Sequence, residues 1–362
     1  MRAAIDIISD RAAFRDEWRR LYARSDASFF LSPPWIETLI DSRTDRTTFK
    51  ALRIFDDLHG VYGAALIGEA RTPIMPGAVA RLHETGDEAI DRVYLEYNDI
   101  LIAHDAAPQA RLEAICAVIE SAPKVDEFVF RNARPPLAAA VIAAGERLGL
   151  KRRTLLRQPT FFIDLTSGVM EGFSASLRAK IRRAVRRYEE RGAVRLIISK
   201  GEAERDVAWT ELMRLHAKTW GSRGQRGVFS APEFLNFHRR LIERFPSNAD
   251  LVRILAGDDT IGVLYNFIDR DRAYNYQSGF LYEASNQLAP GFVAHALAAE
   301  HYREKGLKAY DMMGGDADYK RRLGSEGETL ETLVLERPSL KSKLRNLIRR
   351  KSRAHGAGKR QT

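Results

Sequence analysis

Cysteine is almost missing from this chain: Cys116 stands alone among 362 residues. A single thiol cannot close an internal disulfide, so a reducing compartment, the cytoplasm, is the expected setting. The same scarcity removes cysteine-based zinc patterns, and no two histidines stand at i, i+4 spacing to replace them, so no metal is expected. Long apolar runs are missing as well. Nothing approaches the roughly 18 residues of a membrane span, and the opening MRAAIDIISDRAAF has acidic residues where a signal peptide would be apolar. The protein is expected to be soluble, or peripheral at the inner face of the membrane. No Gly-x-Ser-x-Gly elbow appears, which leaves serine hydrolase chemistry without support. Gly221, Gly224 and Gly227 do not form a dinucleotide fingerprint, because the spacing is wrong and no strand pattern precedes them.

What is present describes a globular protein with a separate basic end. Hydrophobic residues make up 45% and charged residues 29%, enough of each for real cores and a wet surface. Ten Lys and Arg residues and no carboxylate lie between Arg337 and Arg360; removing them from the formal +10 leaves the first 336 residues neutral. The basicity therefore belongs to a tail, 337–362, with an amphipathic helix expected over 339–353. Such a helix either lies on an anionic membrane surface or packs its leucines on the body.

Two segments share one pattern. Apolar runs at 49–55 and 61–67 flank a polar turn, and runs at 250–256 and 261–268 do the same, each reading as a strand hairpin. After each hairpin come a helix and a short apolar strand: 109–121 and 125–131 in the first half, 290–305 and 308–312 in the second. A further helix is expected at 136–149. A duplicated α/β (α+β) unit is the expected fold class. The domains are expected at 1–160, 161–336 and 337–362 (the tail). Between the repeats, 173–192 reads as a helix with Leu177, Ile181, Val185 and Tyr188 on one face and arginines over the rest. Helices at 202–219 and 232–245 follow, separated by a mobile cationic loop with Trp220, Arg223 and Arg226.

The candidate chemistry gathers in the second half. A helix opening at Pro290-Gly291 presents unpaired N–H groups and the positive end of its dipole, which favours a phosphate-bearing donor. Gln287, Ala289, Pro290, Gly291, Phe292 and Val293 make up that donor-binding stretch. On the glycine-flanked loop that follows, Tyr319 and Lys320 set an aromatic surface beside an ammonium group able to hold the donor or stabilise an oxyanion. The third strand carries polar residues; simple alternation puts Asn275 and Gln277 on one face and Tyr274, Tyr276 and Ser278 on the other. For the general base, Asp311, Asp316 and a strand-held water are all open. Asp316 is also a substrate-binding candidate, with Trp220, Arg223 and Gln277. His216, His238, His295 and His301 read as surface or packing residues.

Several short motifs occur in order along nearly the whole chain: Phe30-Leu31-Ser32-Pro33-Pro34-Trp35, Glu96-Tyr97-Asn98-Asp99-Ile100-Leu101, the arginine-rich helix after Phe173, the Trp220 to Phe229 stretch, Ala289-Pro290-Gly291, and Tyr319-Lys320-Arg321-Arg322-Leu323-Gly324. Together they resemble the GNAT superfamily, in its branch of tandem GNAT-like halves. That branch includes the Fem-type peptidyltransferases and the CelD/BcsL-type or BioF2-like acetyltransferases. The resemblance implies two GNAT-like subdomains, each a mixed, mostly antiparallel sheet flanked by helices, with the first half degenerate. It implies direct attack of an amine or hydroxyl on an activated acyl group, with acyl-CoA (acetyl-CoA) as donor. Lys320 matches the lysine of Fem-type enzymes, and Asp311, Tyr319 and Asn275 complete the catalytic set. Pro290 and Phe292 stand where the GNAT phosphate loop has small residues, which leaves room for aminoacyl-tRNA or a carrier-protein thioester. The implied acceptor is a small molecule, saccharide or peptide of envelope or exopolysaccharide type. A tRNA partner for the basic helix 174–191 and the tail, or a non-catalytic polymer- or membrane-binding role, are the alternatives.

Overall fold

The computed structural model describes residues 2–42, 49–56, 60–71, 77–87, 89–221, 224, 226–285 and 287–339. The expected tail helix lies outside the described residues. Contacts divide the chain into two compact units, residues 1–157 with the chain from 330 onward, and residues 158–329. None of the described helices is long and apolar enough to cross a membrane.

The first unit contains strands β1 (Arg2–Ile7), β2 (Phe49–Asp56), β3 (Gly60–Arg71), β4 (Ala78–Leu82), β5 (Leu101–Ile102) and β6 (Glu127–Ala133), with helices α1 (Arg11–Ala23), α2 (Pro33–Asp41), α3 (Ala110–Ser121) and α4 (Pro135–Arg147). Antiparallel pairing runs β1-β2-β3-β4, β5 joins β3, and β4 pairs β6 in parallel. The expected first hairpin is β2–β3. Ser32 caps α2 through its side chain, and Pro33 and Pro34 occupy the first turn, where a missing N–H costs nothing. That explains the Ser-Pro-Pro-Trp motif and buries Trp35 against Phe30.

β4 and β6 stay paired only from Val79 to Arg81 opposite Glu127 to Val129. Beyond that point Asn98 fills the gap. Its Nδ2 donates to the carbonyls of Leu82 (3.3 Å) and Arg131 (3.1 Å), and its backbone bridges to Ala133. A fork that could admit a ligand is thus closed by the chain's own Glu96–Asp99 motif.

Next to the plug sits a buried polar cluster. His83 Nδ1 lies 2.9 Å from Asn98 Oδ1, and burial lowers its pKa to about 4 against that hydrogen bond. Glu84, 2% exposed, faces Arg131 at 3.1 Å and Arg81 at 3.8 Å. Burial raises its pKa to about 7, opposed by Arg131 and reinforced by Asp91. A carboxyl that holds its proton in the folded chain after the unfolded chain has lost it stabilises the fold most below about pH 4.5. That contribution is lost as pH rises to about 7. Glu84→Gln is therefore expected to gain on the wild type across that window, by on the order of 3 kcal/mol. Urea unfolding at both ends of the window measures it; equal wild-type and variant pH slopes would contradict it.

The second unit is entered within β7 (Lys151–Asp164) and left within β13 (Ser325–Glu336). Between them come α5 (Val169–Gly172), α6 (Ala175–Glu189), β8 (Val194–Ile198), α7 (Glu202–Gly221), α8 (Pro232–Arg244), β9 (Ala249–Ala256), β10 (Asp259–Asp269), β11 (Arg272–Phe280), α9 (Pro290–Glu304), β12 (Ala309–Gly314) and α10 (Asp318–Leu323). The sheet order is β7-β12-β11-β10-β9-β8, antiparallel except for β11–β12. One face buries Leu177, Ile181 and Tyr188 of α6 and Val293 and Tyr302 of α9 against Val252, Ile254, Leu264 and Ala273. Each such side chain contributes about 1.5–3 kcal/mol relative to exposure. The other face is aromatic: Trp209 of α7 and Phe234 and His238 of α8 pack on Tyr265, Phe267 and Tyr276.

Among the elements not expected from the sequence are β1, α1, β4, β8, β7 and β13. β7 and β13 carry too many charges to show apolar alternation. The stretch expected as a loop around Lys320 is the short helix α10, with Gly315 before it and Gly324 after it.

Candidate active site at a fork of parallel strands

β11 and β12 pair only from Arg272 to Tyr274 opposite Ala309 to Asp311, and then part. The cause lies partly in β12, whose register against β7 shifts between Asp311 and Gly314. Met313 takes a left-handed φ of 63° there, followed by Gly315 at 115°. Asp311 holds this turn. Its Oδ1 accepts from the Met313 N–H at 2.7 Å and its Oδ2 from Arg272 at 2.9 Å. Both carboxylate oxygens are committed, so the geometry suits Asp311 to shaping the site rather than taking a proton from an acceptor.

The turn in turn fixes Lys320, which is only 8% exposed. Its Nζ donates to the carbonyls of Gly314 (2.5 Å) and Met313 (3.2 Å). The ammonium is thereby held at the open end of β12. Asp316 is exposed and pairs with Arg321.

The start of α9 has Pro290 in its first turn, no side-chain cap and no acidic residue, so its first amides depend on solvent or a ligand. Two cations flank Phe292: Lys180 Nζ at 4.7 Å and the Arg322 guanidinium at 5.1 Å from the ring centroid. Gln287 accepts from Arg187 at 2.8 Å, which ties the loop before α9 to the basic helix α6. One turn into α9, His295 stacks on Tyr319 at 5.5 Å with an interplanar angle of 8°. Two contacts thus link α10 to the beginning of α9: Arg322 on Phe292, and Tyr319 on His295. The donor stretch, Tyr319 and Lys320 belong to one locality.

The third strand is not regular. The β10–β11 register shifts at Tyr265/Asn266, and a bulge at Tyr276 breaks the expected alternation. Asn275 faces α9: its Nδ2 donates to Asn266 Oδ1 (2.8 Å), Asn266 donates to the Tyr302 hydroxyl (3.0 Å), and Tyr302 donates to Asp250 (3.0 Å). Ser278 donates to Asn275 from the same side, at 3.0 Å. Gln277 instead bonds His216 of α7 on the opposite face. Asn275 and Gln277 therefore do not share a face, as simple alternation had them.

His216 is a residue the sequence reading set aside. Trp220 lies 5.7 Å from its ring, and a Cβ on Gly227 would fall 2.2 Å from it, so the loop closes on the imidazole only because residue 227 is glycine. Burial lowers the His216 pKa to about 4, against the Gln277 hydrogen bond. Trp220 and Gln277 meet around this ring. Arg223 lies outside the described residues.

Residues 175–321 match the family described as "Acetyltransferase (GNAT) domain". No curated protein matches the chain. Among solved structures, the chain resembles FemX at 14% identity and TM-score 0.61, covering 92% of this chain and 98% of that one. It also resembles the C-terminal domain of a putative lysylphosphatidylglycerol synthetase from Agrobacterium fabrum, at 11% identity and TM-score 0.55, covering 93% and 94%. A tandem GNAT protein from the clavulanic acid biosynthesis pathway gives 11% identity and TM-score 0.51, covering 93% and 100%. The chain has the tandem GNAT fold, and the matched residues 175–321 lie within its second unit.

Proposed function

We infer that the second unit is an acyltransferase. It takes an acyl group, acetyl being the leading choice, from acyl-CoA and moves it to an amine or hydroxyl of a cell-envelope or exopolysaccharide-type acceptor. The observation that carries this reading is the meeting of α10 with the first turns of α9. The uncapped amides of Gly291 and Phe292, with Lys180 and Arg322 beside them, suit the donor's phosphates; the Val293 N–H already donates to the Ala289 carbonyl. The anchored ammonium of Lys320 suits the oxygen that gains charge when the acceptor attacks the thioester carbonyl. In that step a C–N or C–O bond forms, the C–S bond breaks, and the thiol leaves with the acceptor's proton. Tyr319, Asn275 and Asp311 support this centre, and Trp220, Gln277, Arg223 and Asp316 are the acceptor-side candidates. The resemblance to envelope-type members supports the acceptor class, and a cytoplasmic or membrane-peripheral location accords with it.

A second reading has a specific observation in its favour. Arg182, Arg183 and Arg186 on α6 are exposed and have no carboxylate partner among the described residues. Such a row suits the phosphates of aminoacyl-tRNA in a Fem-like transfer, with binding that weakens steeply as salt rises. Thermal shift separates the two readings. Coenzyme A at about 100 times its Kd should stabilise the protein by roughly 2.7 kcal/mol, a rise of several degrees. A rise with charged tRNA and none with coenzyme A would reverse the order.

A further inference from the structure

The fork contains a histidine that no part of the preceding scheme uses. His295 is 1% exposed and lies within one cluster formed by three elements. Phe280, at the end of β11, meets its ring edge-on at 5.6 Å, the Tyr310 hydroxyl of β12 is 3.0 Å from Nδ1, and Tyr319 of α10 stacks over it. The imidazole therefore sits among side chains of β11, β12 and α10, next to the fork. Its Nε2 is buried and has no hydrogen-bond partner among the described residues. A buried polar nitrogen without a partner costs stability, and such an atom at a candidate site points to a group that arrives later.

Hydrogen-bond accounting fixes which nitrogen carries the proton. Tyr310 is fully buried, its hydroxyl stays protonated because burial pushes its pKa far up, and His295 Nδ1 is its hydrogen-bond partner. If Nδ1–H donated to the tyrosine oxygen, two groups would be stranded: the tyrosine O–H and the Nε2 lone pair. If the tyrosine O–H donates to Nδ1, only the Nε2–H is left over. The second arrangement leaves fewer buried groups unmet. Burial, and the nearby Lys320 charge after it, keeps the ring neutral, with a pKa of about 3.

We propose that His295 is a further substrate-contacting residue, whose Nε2–H donates a hydrogen bond to the acyl carbonyl oxygen of the donor, with Tyr310 as the positioning residue that sets the tautomer. A neutral donor suits this place. Beside the ammonium of Lys320, a charged imidazolium would be repelled, whereas a neutral N–H adds a second donor to the same developing oxyanion. Tyr319, 36% exposed, covers the stack and is the ring that yields when a donor enters. The assignment rests on the acyl-thioester reading above.

The test uses the full chain labelled with 15N in its histidines, with acetyl-CoA as the probe. His295→Gln identifies the His295 resonances by their disappearance. The expected spectrum has the proton on Nε2 in the free protein and a shifted Nε2 resonance once acetyl-CoA is bound. His295→Leu should weaken acetyl-CoA by about three- to tenfold while leaving coenzyme A, which has no acyl carbonyl, unchanged; His295→Gln, which retains an N–H, should restore much of the difference. A proton on Nδ1, or an Nε2 resonance unmoved by bound acetyl-CoA, overturns the role of His295 alone. Failure of the wild type to bind acetyl-CoA overturns the donor reading, and this role with it.

Discussion

Lys320→Ala is expected to lower kcat for acyl transfer by about 10²- to 10³-fold, the usual loss when one preorganised oxyanion donor is removed. KM for the donor should change far less, because on this proposal its phosphates are held by the α9 amides, Lys180 and Arg322, independently of the ammonium. Removing Nζ also leaves the Met313 and Gly314 carbonyls without their cation, at a cost of roughly 1–2 kcal/mol in stability. A thermal melt run beside the kinetics separates these effects. Lys320→Arg should recover part of the stability but little of the rate, since a guanidinium cannot occupy the compact position of an ammonium between two carbonyls. Unchanged turnover in Lys320→Ala would remove the ammonium from the chemistry.

The second large effect is structural. Gly324→Ala should destabilise the second unit by about 1–3 kcal/mol or more, the usual range for overpacking against something that cannot move aside. A Cβ at this position would lie 2.3 Å from the Phe162 carbonyl oxygen and 2.7 Å from its carbon, both backbone atoms of β7. The φ of Gly324 is −143°, ordinary extended backbone, so space rather than conformation demands the glycine. That gives a cause for the last residue of the Tyr-Lys-x-x-x-Gly motif: it lets the chain leave α10 against β7, so Lys320 stays at the fork. Chemical denaturation checks it. A midpoint within error of the wild type would mean that β7 yields more easily than its backbone pairing with β12 suggests.

The parts of the fold that were legible in the sequence are those in which burial imposes a period. The α6 face of Leu177, Ile181 and Tyr188 (with Ala184 fully buried and Val185 only partly), the two hairpins, and α9 with Pro290 at its start all follow from apolar spacing and caps. β7 was not legible, because its first half is largely exposed and rich in Lys and Arg, so no alternation marks it. α10 is too short to show a helical period. At the site, the residue types of the Pro290 and Lys320 segments pointed to donor chemistry, whereas His216 and His295 read as surface or packing residues, and the buried surroundings of both were hidden. Those surroundings come from distant parts of the chain: Gln277 and Trp220 for one, Tyr310 and Tyr319 for the other. The bulge at Tyr276 was equally hidden, since a strand pattern assumes the regularity that the bulge breaks.

The most direct test of this account is a crystal structure of the protein with acetyl-CoA bound. The diphosphate should lie at the amides of Gly291 and Phe292, between the side chains of Lys180 and Arg322, with the acyl carbonyl within hydrogen-bond reach of Lys320. A donor bound away from the β11–β12 fork, or an ammonium at residue 320 that still faces only protein carbonyls with the donor in place, would contradict it.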